Sequence, residues 1–302
     1  MSKQTQSAFI AIVGRPNVGK SSLMNRMVGQ KVAIVSDKPQ TTRTRIMGVL
    51  TKEETQFVFL DTPGLHKPRT RLGDYMVKSI GEAVGSVDAA VLVVEPDARI
   101  RPEETELIAQ LKASRMPAIL VINKIDLVAD KAALLACIAA YKDLYEFSSV
   151  VPLSAKTGDG VAELLDEMAA FAADSPHFFP DDAISDQPER VLVAELLREQ
   201  ILRTMRDEVP HGVAVVTESF REAETTSGAP IIHAECVIYC ERDTHKGMLI
   251  GKGGARLKEI SAAARLEAER LLGVKVNLKT WVKVKEDWRN RQGLLNGFGY
   301  SD

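Results

Sequence analysis

Apolar residues follow two different patterns along this chain. Between residues 8 and 172, short runs rich in Val, Ile and Leu alternate with segments in which apolar residues recur every three or four positions. The runs predict buried strands and the segments predict amphipathic helices, an alternation typical of a mostly parallel sheet covered by helices. We predict strands at 10–13, 56–60, 89–94, 118–122 and 149–152, and helices at 22–28, 75–84, 103–111, 132–141 and 161–172.

The pattern changes after a stretch rich in Pro, Asp and Ser at 174–188, which we interpret as a linker. The second half predicts an α+β domain with a helix, two strands, two helices separated by glycines, and a last strand. Its predicted elements are a helix at 191–202, strands at 213–218 and 231–239, a helix starting at 248–250, a helix at 256–272 and a strand at 279–285. The resulting domain boundaries are a tail at 1–7, a first domain at 8–173, the linker at 174–188, a second domain at 189–287 and a tail at 288–302.

Composition changes this picture little. The 302 residues carry a net charge of −2, with 45% hydrophobic and 26% charged residues, as in ordinary globular proteins of two domains. No apolar run approaches the ~20 residues that span a bilayer, and the polar residues 1–7 lack a signal-peptide core, so we expect a cytoplasmic protein. The three cysteines, Cys137, Cys236 and Cys240, predict buried reduced thiols better than a zinc site.

The first predicted strand leads into the segment GRPNVGKS at 14–21. A strand, a glycine-framed loop, Lys-Ser and a helix form the order that a phosphate-binding P-loop requires. Glycines let backbone N–H groups point at phosphate oxygens, and the helix adds its positive N-terminal end. Lys20 can reach the β- and γ-phosphates, and the Ser21 hydroxyl can ligate Mg²⁺. The alternative is a strand-to-helix turn without a ligand, which the complete pattern disfavours.

The segment DTPG at 61–64 directly follows the next strand of this pattern. Ligands of parallel sheets bind where the strands end, so this position supports the P-loop assignment. Asp61 can hold Mg²⁺, usually through a water, and the Gly64 backbone N–H can contact a γ-phosphate because no side chain intervenes.

Two motifs after later strands identify the base. In NKID at 123–126, Asp126 can accept hydrogen bonds from both donors on one edge of guanine, a pair that adenine does not offer. Asn123 can bond to the O6/N7 side of the base or brace the P-loop, and the stem of Lys124 can cover the base. In SAK at 154–156, a backbone N–H, which we assign to Ala155, can meet guanine O6.

The four motifs, in this order, resemble the translation-factor-like class of P-loop GTPases over residues 8–172. The resemblance makes residues 38–45 part of switch I and residues 61–71 switch II, which triphosphate orders and hydrolysis releases. It implies that Thr42 ligates Mg²⁺ and senses the γ-phosphate, with Thr41 as the alternative.

The same resemblance implies three catalytic residues, Lys20, Thr42 and Gly64. The phosphate-binding residues are Gly14, Asn17, Val18, Gly19, Lys20, Ser21, Ser22, Asp61 and Gly64, the Mg²⁺ ligands are Ser21, Thr42 and Asp61, and the guanine-binding residues are Asn123, Lys124, Asp126, Ser154, Ala155 and Lys156.

One departure from the Ras-like pattern and one likeness to other relatives bear on hydrolysis. Leu65 stands where Ras-like proteins carry a water-orienting glutamine, and an apolar side chain cannot polarise water, so we expect slow intrinsic hydrolysis. Asn17 is similar to the P-loop asparagine that helps to bind K⁺ in relatives. A K⁺ beside the phosphates is therefore a further hypothesis.

The second domain contains the segment HKGMLIGKGGARLK at 245–258. With its flanking elements, it resembles a type II KH domain, whose GxxG loop approaches nucleic-acid phosphates beside a groove for about four unpaired bases. Residues 242–291 contain 13 lysines and arginines against 6 acidic residues, although the whole chain is slightly acidic. The predicted RNA-binding residues are Lys246, Ile250, Gly251, Lys252, Gly253, Gly254, Arg256 and Lys258.

Two groups in this domain have a second interpretation. The charged residues at 265–270 are expected to pair with one another and with solvent on an exposed helix face. Trp288, Phe298 and Tyr300 can stack on bases or pack in the protein interior, and the sequence does not distinguish these roles.

A GTPase domain of this class followed by one KH domain closely resembles the bacterial Era family, over almost the whole chain. The resemblance implies binding of GTP and GDP, of the 3′ region of 16S rRNA and of the small (30S) ribosomal subunit, with a role in assembly of that subunit. It also implies a cytoplasmic, monomeric protein with peripheral contact at the inner membrane, and Mg²⁺ as cofactor. An RNA-binding scaffold that does not hydrolyse GTP, and a GTP-dependent RNA-modifying or membrane-signalling enzyme, are the alternatives; the complete motifs disfavour the first, and no second catalytic constellation supports the second.

Overall fold

The structure is a computed structural model that describes residues 5–38, 41–63, 70–84, 86–206 and 209–300. The chain forms two compact units, one of residues 1–33, 42–69 and 73–186 and the other of residues 34–41, 70–72 and 187–302. None of the helices in the described ranges is long and apolar enough to cross a membrane.

The first unit is an α/β domain with a mostly parallel sheet, as predicted. Its strands are β1 (Gln6–Gly14), β2 (Ile46–Lys52), β3 (Thr55–Asp61), β4 (Ala89–Val94), β5 (Ala118–Ile122), β6 (Ser149–Pro152) and β7 (Ala173–Asp174). Their order is β2-β3-β1-β4-β5-β6; β2 is antiparallel to β3, and β7 pairs antiparallel with β1. Helices of this unit are α1 (Lys20–Val28), α2 (Arg71–Val84), α3 (Pro102–Ser114), α4 (Lys131–Lys142) and α5 (Val161–Ala169), and α2 starts in the other unit.

The central strands are apolar on both faces because helices cover both. All six residues of β4 and all five of β5 are buried. Side chains pointing one way join the core beneath α1 and α5, and those pointing the other way join the core beneath α3 and α4. Consequently the loops that follow β1, β3, β4, β5 and β6 emerge together at the carboxyl edge of the parallel strands, which positions the site.

Three of the predicted strands have the predicted bounds, but β2 was missed. This strand lies at the edge of the sheet, and its pairing with β3 depends on a hairpin at residues 53 and 54 that lacks a glycine turn signal. Residues of the predicted linker also have defined partners in the first unit. The side chain of Gln56 accepts the N–H groups of Phe178 and Phe179, and Val49 donates to the carbonyl of Ile184.

The second unit is an α+β domain of the type II KH form. Its elements are α6 (Glu189–Thr204), β8 (Ala214–Glu224), β9 (Pro230–Cys240), α7 (Asp243–Ile250), α8 (Ala255–Leu272), β10 (Lys275–Val284) and α9 (Gln292–Gly297). The sheet has the order β10-β9-β8, with β9 parallel to β10 and antiparallel to β8. The prediction that a helix starts at 248–250 is wrong. Those residues are the last turn of α7, because Gly251 has a φ of 71° and ends the helix.

Residues 34–41 belong to this second unit through α6. The buried carboxylate of Glu199 accepts the Val35 N–H at 2.9 Å, and the buried Arg198 guanidinium donates to the Thr41 carbonyl. Part of the predicted switch I is therefore packed with the C-terminal half of the chain, and the unit boundary falls between Thr41 and Thr42.

Candidate nucleotide site and nucleic-acid groove

The P-loop backbone requires glycine at two positions. Gly14 has a φ of 153° and Gly19 a φ of 102°, and a Cβ on either residue would lie within 2.4 Å of a neighbouring atom. The neighbour of Gly14 is the Val93 carbonyl oxygen, and that of Gly19 is the Asn123 amide nitrogen. Because α1 begins at Lys20, the loop N–H groups and the positive helix end face the same place, an arrangement that binds anions.

Lys20 lies buried at the centre of this loop. Its ammonium donates to the carbonyls of Gly14 at 3.1 Å and Arg15 at 3.0 Å. Burial is the main cause that lowers the pKa of Lys20 to about 8; the Asp61 carboxylate opposes this shift and the Arg15 charge adds to it. A phosphate group at the loop would favour the charged form of Lys20.

Three oxygen-bearing side chains meet beside Lys20. The Asp61 carboxylate oxygen Oδ2 lies 2.6 Å from Ser21 Oγ and 3.3 Å from Thr42 Oγ1, and the two hydroxyls are 3.0 Å apart. Asp61 is fully buried, and its Oδ1 atom has no hydrogen-bond partner in the described part of the chain. Burial raises the pKa of Asp61, and Lys20 and both hydroxyls counteract this shift. Three oxygen donors and an unsatisfied carboxylate oxygen suit Mg²⁺, which prefers oxygen ligands.

Thr41 does not join this cluster. Its hydroxyl donates to the Lys38 carbonyl at 2.7 Å, whereas Thr42 is buried against Asp61. The sequence left the two threonines as alternatives, and the geometry favours Thr42. Gly64, Leu65 and His66 lie outside the described residues.

The guanine motif is held by its own side chains. Asn123 is buried, its amide nitrogen donates to the Val18 carbonyl at 2.8 Å, and it therefore braces the P-loop as one of the two predicted roles requires. The Ser154 hydroxyl donates to Asp126 Oδ1 at 2.7 Å, which orients an exposed carboxylate. The Ala155 N–H donates to Asn123 Oδ1 at 3.0 Å, because the amide group that braces the P-loop also needs a donor. Its contact with guanine O6 stays a prediction.

Sequence reasoning missed Arg26, which holds the last guanine-binding loop. This arginine on α1 donates to the carbonyl of Ala155 at 3.0 Å and to that of Lys156. An arginine on the polar side of an amphipathic helix carries no sequence signal for this role. Sequence reasoning also missed a charged cluster around Lys124, which is formed by Arg15, Glu95 and Glu104.

In the second unit, the predicted GxxG loop joins α7 to α8. Gly251, Gly253 and Gly254 all have positive φ values, and a Cβ on Gly251 would lie 2.8 Å from Arg256 Cβ. By contrast, a Cβ on Gly253 or Gly254 would meet open space. The loop therefore exposes its backbone, as contact with phosphates requires.

A groove of about 350 Å³ runs beside this loop. It is lined by Gly254, Leu257, Lys258, Ser261, Ala262, Arg265, Leu278 and Thr280. Along it the hydroxyls of Ser261 and Thr280 are 2.8 Å apart, and the Ser261 hydroxyl donates to the Leu257 carbonyl at 2.7 Å, so Thr280 donates to Ser261 and the pair keeps acceptor capacity. Only Gly254 and Lys258 of this lining were predicted, because the two hydroxyls come from α8 and β10 and meet only in the folded chain.

The predicted basic residues differ in their exposure and in their hydrogen bonds within the protein. Lys252 and Lys258 are exposed, Lys246 is half-buried, and Arg256 donates to the Met248 carbonyl at 2.8 Å. Ile250 is half-buried and packs against the core of the unit. The expected pairing on α8 is confirmed by Arg265–Glu269 at 2.7 Å and Arg270–Glu267 at 2.5 Å.

The remaining candidates have interior roles. Trp288 is fully buried, donates to the Gly212 carbonyl at 3.0 Å and packs against the rings of Phe298 and Tyr300, so the interior interpretation is correct for this residue. All three cysteine thiols are free and buried, and burial raises the pKa of Cys236 and Cys240 to about 11. Within the described ranges, no cluster of His, Cys, Asp and Glu suits a metal ion.

Fold and site together define a P-loop guanine-nucleotide-binding protein with a KH domain. Two family models match the chain, "50S ribosome-binding GTPase" over residues 9–124 and "KH domain" over residues 208–289. GTPase Era of Clostridioides difficile is 49% identical over 297 residues, which cover 98% of this chain and 99% of that protein. The Era of Ruminiclostridium cellulolyticum is 46% identical, covering 98% and 97%. The chain belongs to the Era family of GTPases.

Two solved Era structures have the same fold over nearly the whole chain. One is a complex with MgGDPNP and nucleotides 1506–1542 of 16S ribosomal RNA, at 36% identity and a TM-score of 0.93, covering 99% of this chain and 100% of that chain. The other is a variant of Aquifex aeolicus Era bound to GDP and AlF4⁻, at 36% identity and a TM-score of 0.92, with the same coverage. The chain is accordingly an enzyme that hydrolyses GTP.

Proposed function

We propose that this GTPase, in its GTP-bound form, binds the 3′ region of 16S rRNA through the KH groove and acts in assembly of the small ribosomal subunit. The observation that supports this proposal is that one chain contains both a cluster of Mg²⁺-binding oxygens beside the P-loop with an oriented Asp126, and an open GxxG loop beside a groove. A relative with the same fold is bound to nucleotides 1506–1542 of 16S rRNA, which supports this choice of RNA.

Different residues of the chain bind the phosphates, the guanine base and Mg²⁺. The P-loop N–H groups and Lys20 bind the β- and γ-phosphates, and Asp126, oriented by Ser154, accepts the two donors of guanine. Asn123 joins the guanine motif to the P-loop by its bond to Val18. Ser21, Thr42 and Asp61 would hold Mg²⁺, which neutralises charge on the phosphate oxygens when bound.

Slow intrinsic hydrolysis is expected from the residue that follows the segment at 61–64 in the sequence. Leu65 cannot polarise water, so intrinsic hydrolysis is slow, and Asn17 is the candidate ligand for a K⁺ that compensates charge beside the phosphates. Hydrolysis rates that are equal in K⁺ and Na⁺ buffers would contradict the K⁺ proposal. The backbone φ of 65° at Asn17 places this residue in a conformation that the loop must maintain.

In the KH domain, the GxxG backbone and Lys252 approach RNA phosphates while the groove accepts bases. The paired hydroxyls of Ser261 and Thr280 can accept hydrogen bonds from donors on base edges, and Lys258 adds charge at the rim. Since phosphate contacts position the RNA and base contacts specify it, the hydroxyl pair is the candidate reader of sequence.

The test uses the full chain and a labelled RNA oligonucleotide with the 3′ end of 16S rRNA. Fluorescence anisotropy with GDPNP and with GDP measures the affinity in each state, and a shuffled oligonucleotide of the same composition is the control. We expect tighter binding of the 3′-end RNA with GDPNP. Equal affinity for both oligonucleotides would reject the assigned RNA, and equal affinity with both nucleotides would reject the coupling.

The remaining parts of the proposal concern location and assembly state. We propose a monomeric cytoplasmic protein that contacts the inner membrane peripherally. Sedimentation equilibrium measures the assembly state, and co-flotation of the full chain with anionic vesicles measures membrane contact. A stable dimer or the absence of flotation would contradict the corresponding part.

A further inference from the structure

Four charged side chains form a cluster in the first unit, next to the nucleotide site, that the proposed function does not use. Arg15 belongs to the P-loop, Glu95 follows β4, Glu104 lies in the first turn of α3, and Lys124 belongs to the guanine motif. The four residues thus come from four separate segments of the chain. Their contacts connect the segment that reads the base with the loop that binds the phosphates.

Glu95 is the centre of this cluster. Its Oε1 atom lies 2.5 Å from the Lys124 ammonium, and its Oε2 atom lies 3.1 Å from Arg15 Nη2. Burial raises the pKa of Glu95, but the hydrogen bonds and charges of Lys124 and Arg15 outweigh burial and leave the pKa below its ordinary value. One carboxylate therefore bridges both nucleotide-binding segments.

Lys124 extends this bridge to the P-loop backbone. Its ammonium donates to the Asn17 carbonyl at 2.7 Å in addition to its contact with Glu95. Asn17 has a φ of 65° and Lys124 a φ of 67°, and the left-handed region is unfavourable for both residue types relative to glycine. A fixed contact network is what allows such conformations to persist at a site.

Glu104 anchors the other end of the cluster. This buried carboxylate accepts Arg15 Nε at 2.7 Å and the Arg101 backbone N–H at 2.7 Å, so it also closes the first turn of α3. Arg15 is consequently held by Glu104 on a helix and by Glu95 at the end of a strand. Its position is set by contacts with these two elements of the sheet and its covering helices.

We propose that Glu95 is a positioning residue that couples the guanine-binding motif to the P-loop, by holding Lys124 and Arg15 with its two carboxylate oxygens. The inference rests on the proposed nucleotide site. Glu95 acts through these two residues and sets how long the nucleotide stays bound. An isolated pair at a partly exposed site would contribute little, but here two cations share one carboxylate, and one of them, Lys124, also donates to the Asn17 carbonyl, so loss of the carboxylate loosens three contacts.

The central experiment compares Glu95→Gln with the unaltered chain. Stopped-flow measurement of fluorescent GDP gives the dissociation rate, and steady-state hydrolysis gives kcat and KM for GTP. We expect dissociation about tenfold faster and KM several-fold higher, with kcat within twofold, because the variant weakens binding in the ground and transition states alike. A merely structural role would lower the active fraction and the melting temperature and leave KM unchanged, and that result would overturn the proposal.

Two further variants sharpen the test. Glu95→Asp keeps the charge but is one methylene shorter, so it cannot reach both partners and should show an intermediate dissociation rate. Glu106→Gln removes the same charge from the exposed side of α3 and should leave the rate unchanged. Equal rates for the Glu95→Gln and Glu106→Gln variants would overturn the proposal.

A double-mutant cycle measures the coupling directly. The Arg15→Met change should accelerate dissociation less in the Glu95→Gln background than in the unaltered chain, because the contact of Arg15 with Glu95 is already weakened there, whereas its contact with Glu104 is removed equally in both backgrounds. Additive effects would show that Glu95 does not act through Arg15. If the unaltered chain failed to bind fluorescent GDP at all, the proposed nucleotide site would be wrong instead, so the two failures are distinguishable.

Discussion

The nucleotide site and the RNA groove of this protein are built in opposite ways. Lys20, Asp61 and Asn123 of the nucleotide site are buried and hydrogen-bonded. The GxxG loop of the groove instead exposes Gly253 and Lys252, and its shape is set by backbone angles. A site that recognises one small molecule can fix every polar group in advance, whereas a site for a flexible strand must leave its backbone accessible.

The difference predicts how each site responds to substitution. In the nucleotide site, one altered side chain leaves a buried partner unsatisfied, so the loss of affinity is large and specific. In the groove, removal of one lysine deletes only one of several phosphate contacts, and the loss is small. Large effects in the groove require a change at a glycine.

The largest effect is expected for Asp126→Asn. The carboxylate that accepts both guanine donors becomes an amide that offers a donor to one of them, so GTP affinity should fall about a thousandfold. Xanthine nucleotides, which carry a carbonyl in place of the amino group, should bind better to the variant than to the unaltered chain. Equilibrium titration with fluorescent GDP and XDP measures both changes.

The control for this variant is Asp143→Asn, which removes a carboxylate from the exposed end of α4. It should bind GDP as the unaltered chain does. Undiminished affinity of the Asp126→Asn variant for GDP would contradict the assignment of the guanine site.

The second effect concerns the GxxG loop. Gly254→Asp places a negative charge at an open position that faces the expected RNA phosphates, and RNA affinity should fall at least tenfold. Gly254→Asn imposes the same strain at a φ of 79° without the charge, so it is the matched control. Anisotropy with the 16S 3′-end oligonucleotide measures both, and thermal melting confirms folding. Equal losses in the two variants would show that the backbone, rather than phosphate repulsion, causes the defect.

A smaller effect is expected for one lysine at the rim of the groove. Lys258→Met should weaken RNA binding about threefold and reduce the slope of log affinity against log salt by about 1, as the loss of one phosphate contact requires. Lys275→Met is the control, because this exposed lysine lies outside the groove lining and pairs with Glu269 at 3.6 Å. If both variants lost the same affinity, general charge rather than the groove would hold the RNA.

The sequence predicted the elements that carry strong periodic patterns and the residues that carry motifs. Strands β4, β5 and β6 have the predicted bounds, and β4 and β5 are continuous apolar runs between polar loops. The interior position of Trp288 and the contact of Ser261 with Thr280 could not be predicted, because each depends on which distant segments meet. The same reason hides Glu95 and Arg26, whose partners lie 29 to 130 positions away.

Ala155 shows a different limit of sequence reasoning. The motif identifies a loop that approaches guanine, but it does not determine how a backbone N–H divides between a ligand and a neighbouring side chain. The Ala155 N–H bonds to Asn123 Oδ1 because the Asn123 amide nitrogen donates to the Val18 carbonyl, which leaves the amide oxygen on the side of Ala155. A motif therefore specifies which segments form the site, and their packing decides the individual contacts.

The smallest effect is expected for a residue outside both sites, His177 in the predicted linker. Its Nδ1 lies 2.6 Å from Asp181 Oδ1 and its Nε2 lies 3.1 Å from the Glu54 carbonyl. Only the imidazolium has two N–H groups to donate to both acceptors, so the hydrogen bond to Asp181, followed by that to Glu54, raises the pKa of His177 above its ordinary value.

A raised pKa in the folded state means that the stabilisation from protonated His177 is complete below about pH 6.5 and is lost as the pH rises through the raised pKa. Because Asp181 is largely exposed, His177→Gln should lower the melting temperature by only about 2 °C at pH 6 and by less at pH 8.5. Calorimetry at the two pH values measures the difference, and dissociation rates of fluorescent GDP and RNA affinity should stay unchanged. A larger loss at pH 8.5 than at pH 6 would contradict the assigned direction of the shift, and a changed affinity would show that this segment contributes to one of the two sites.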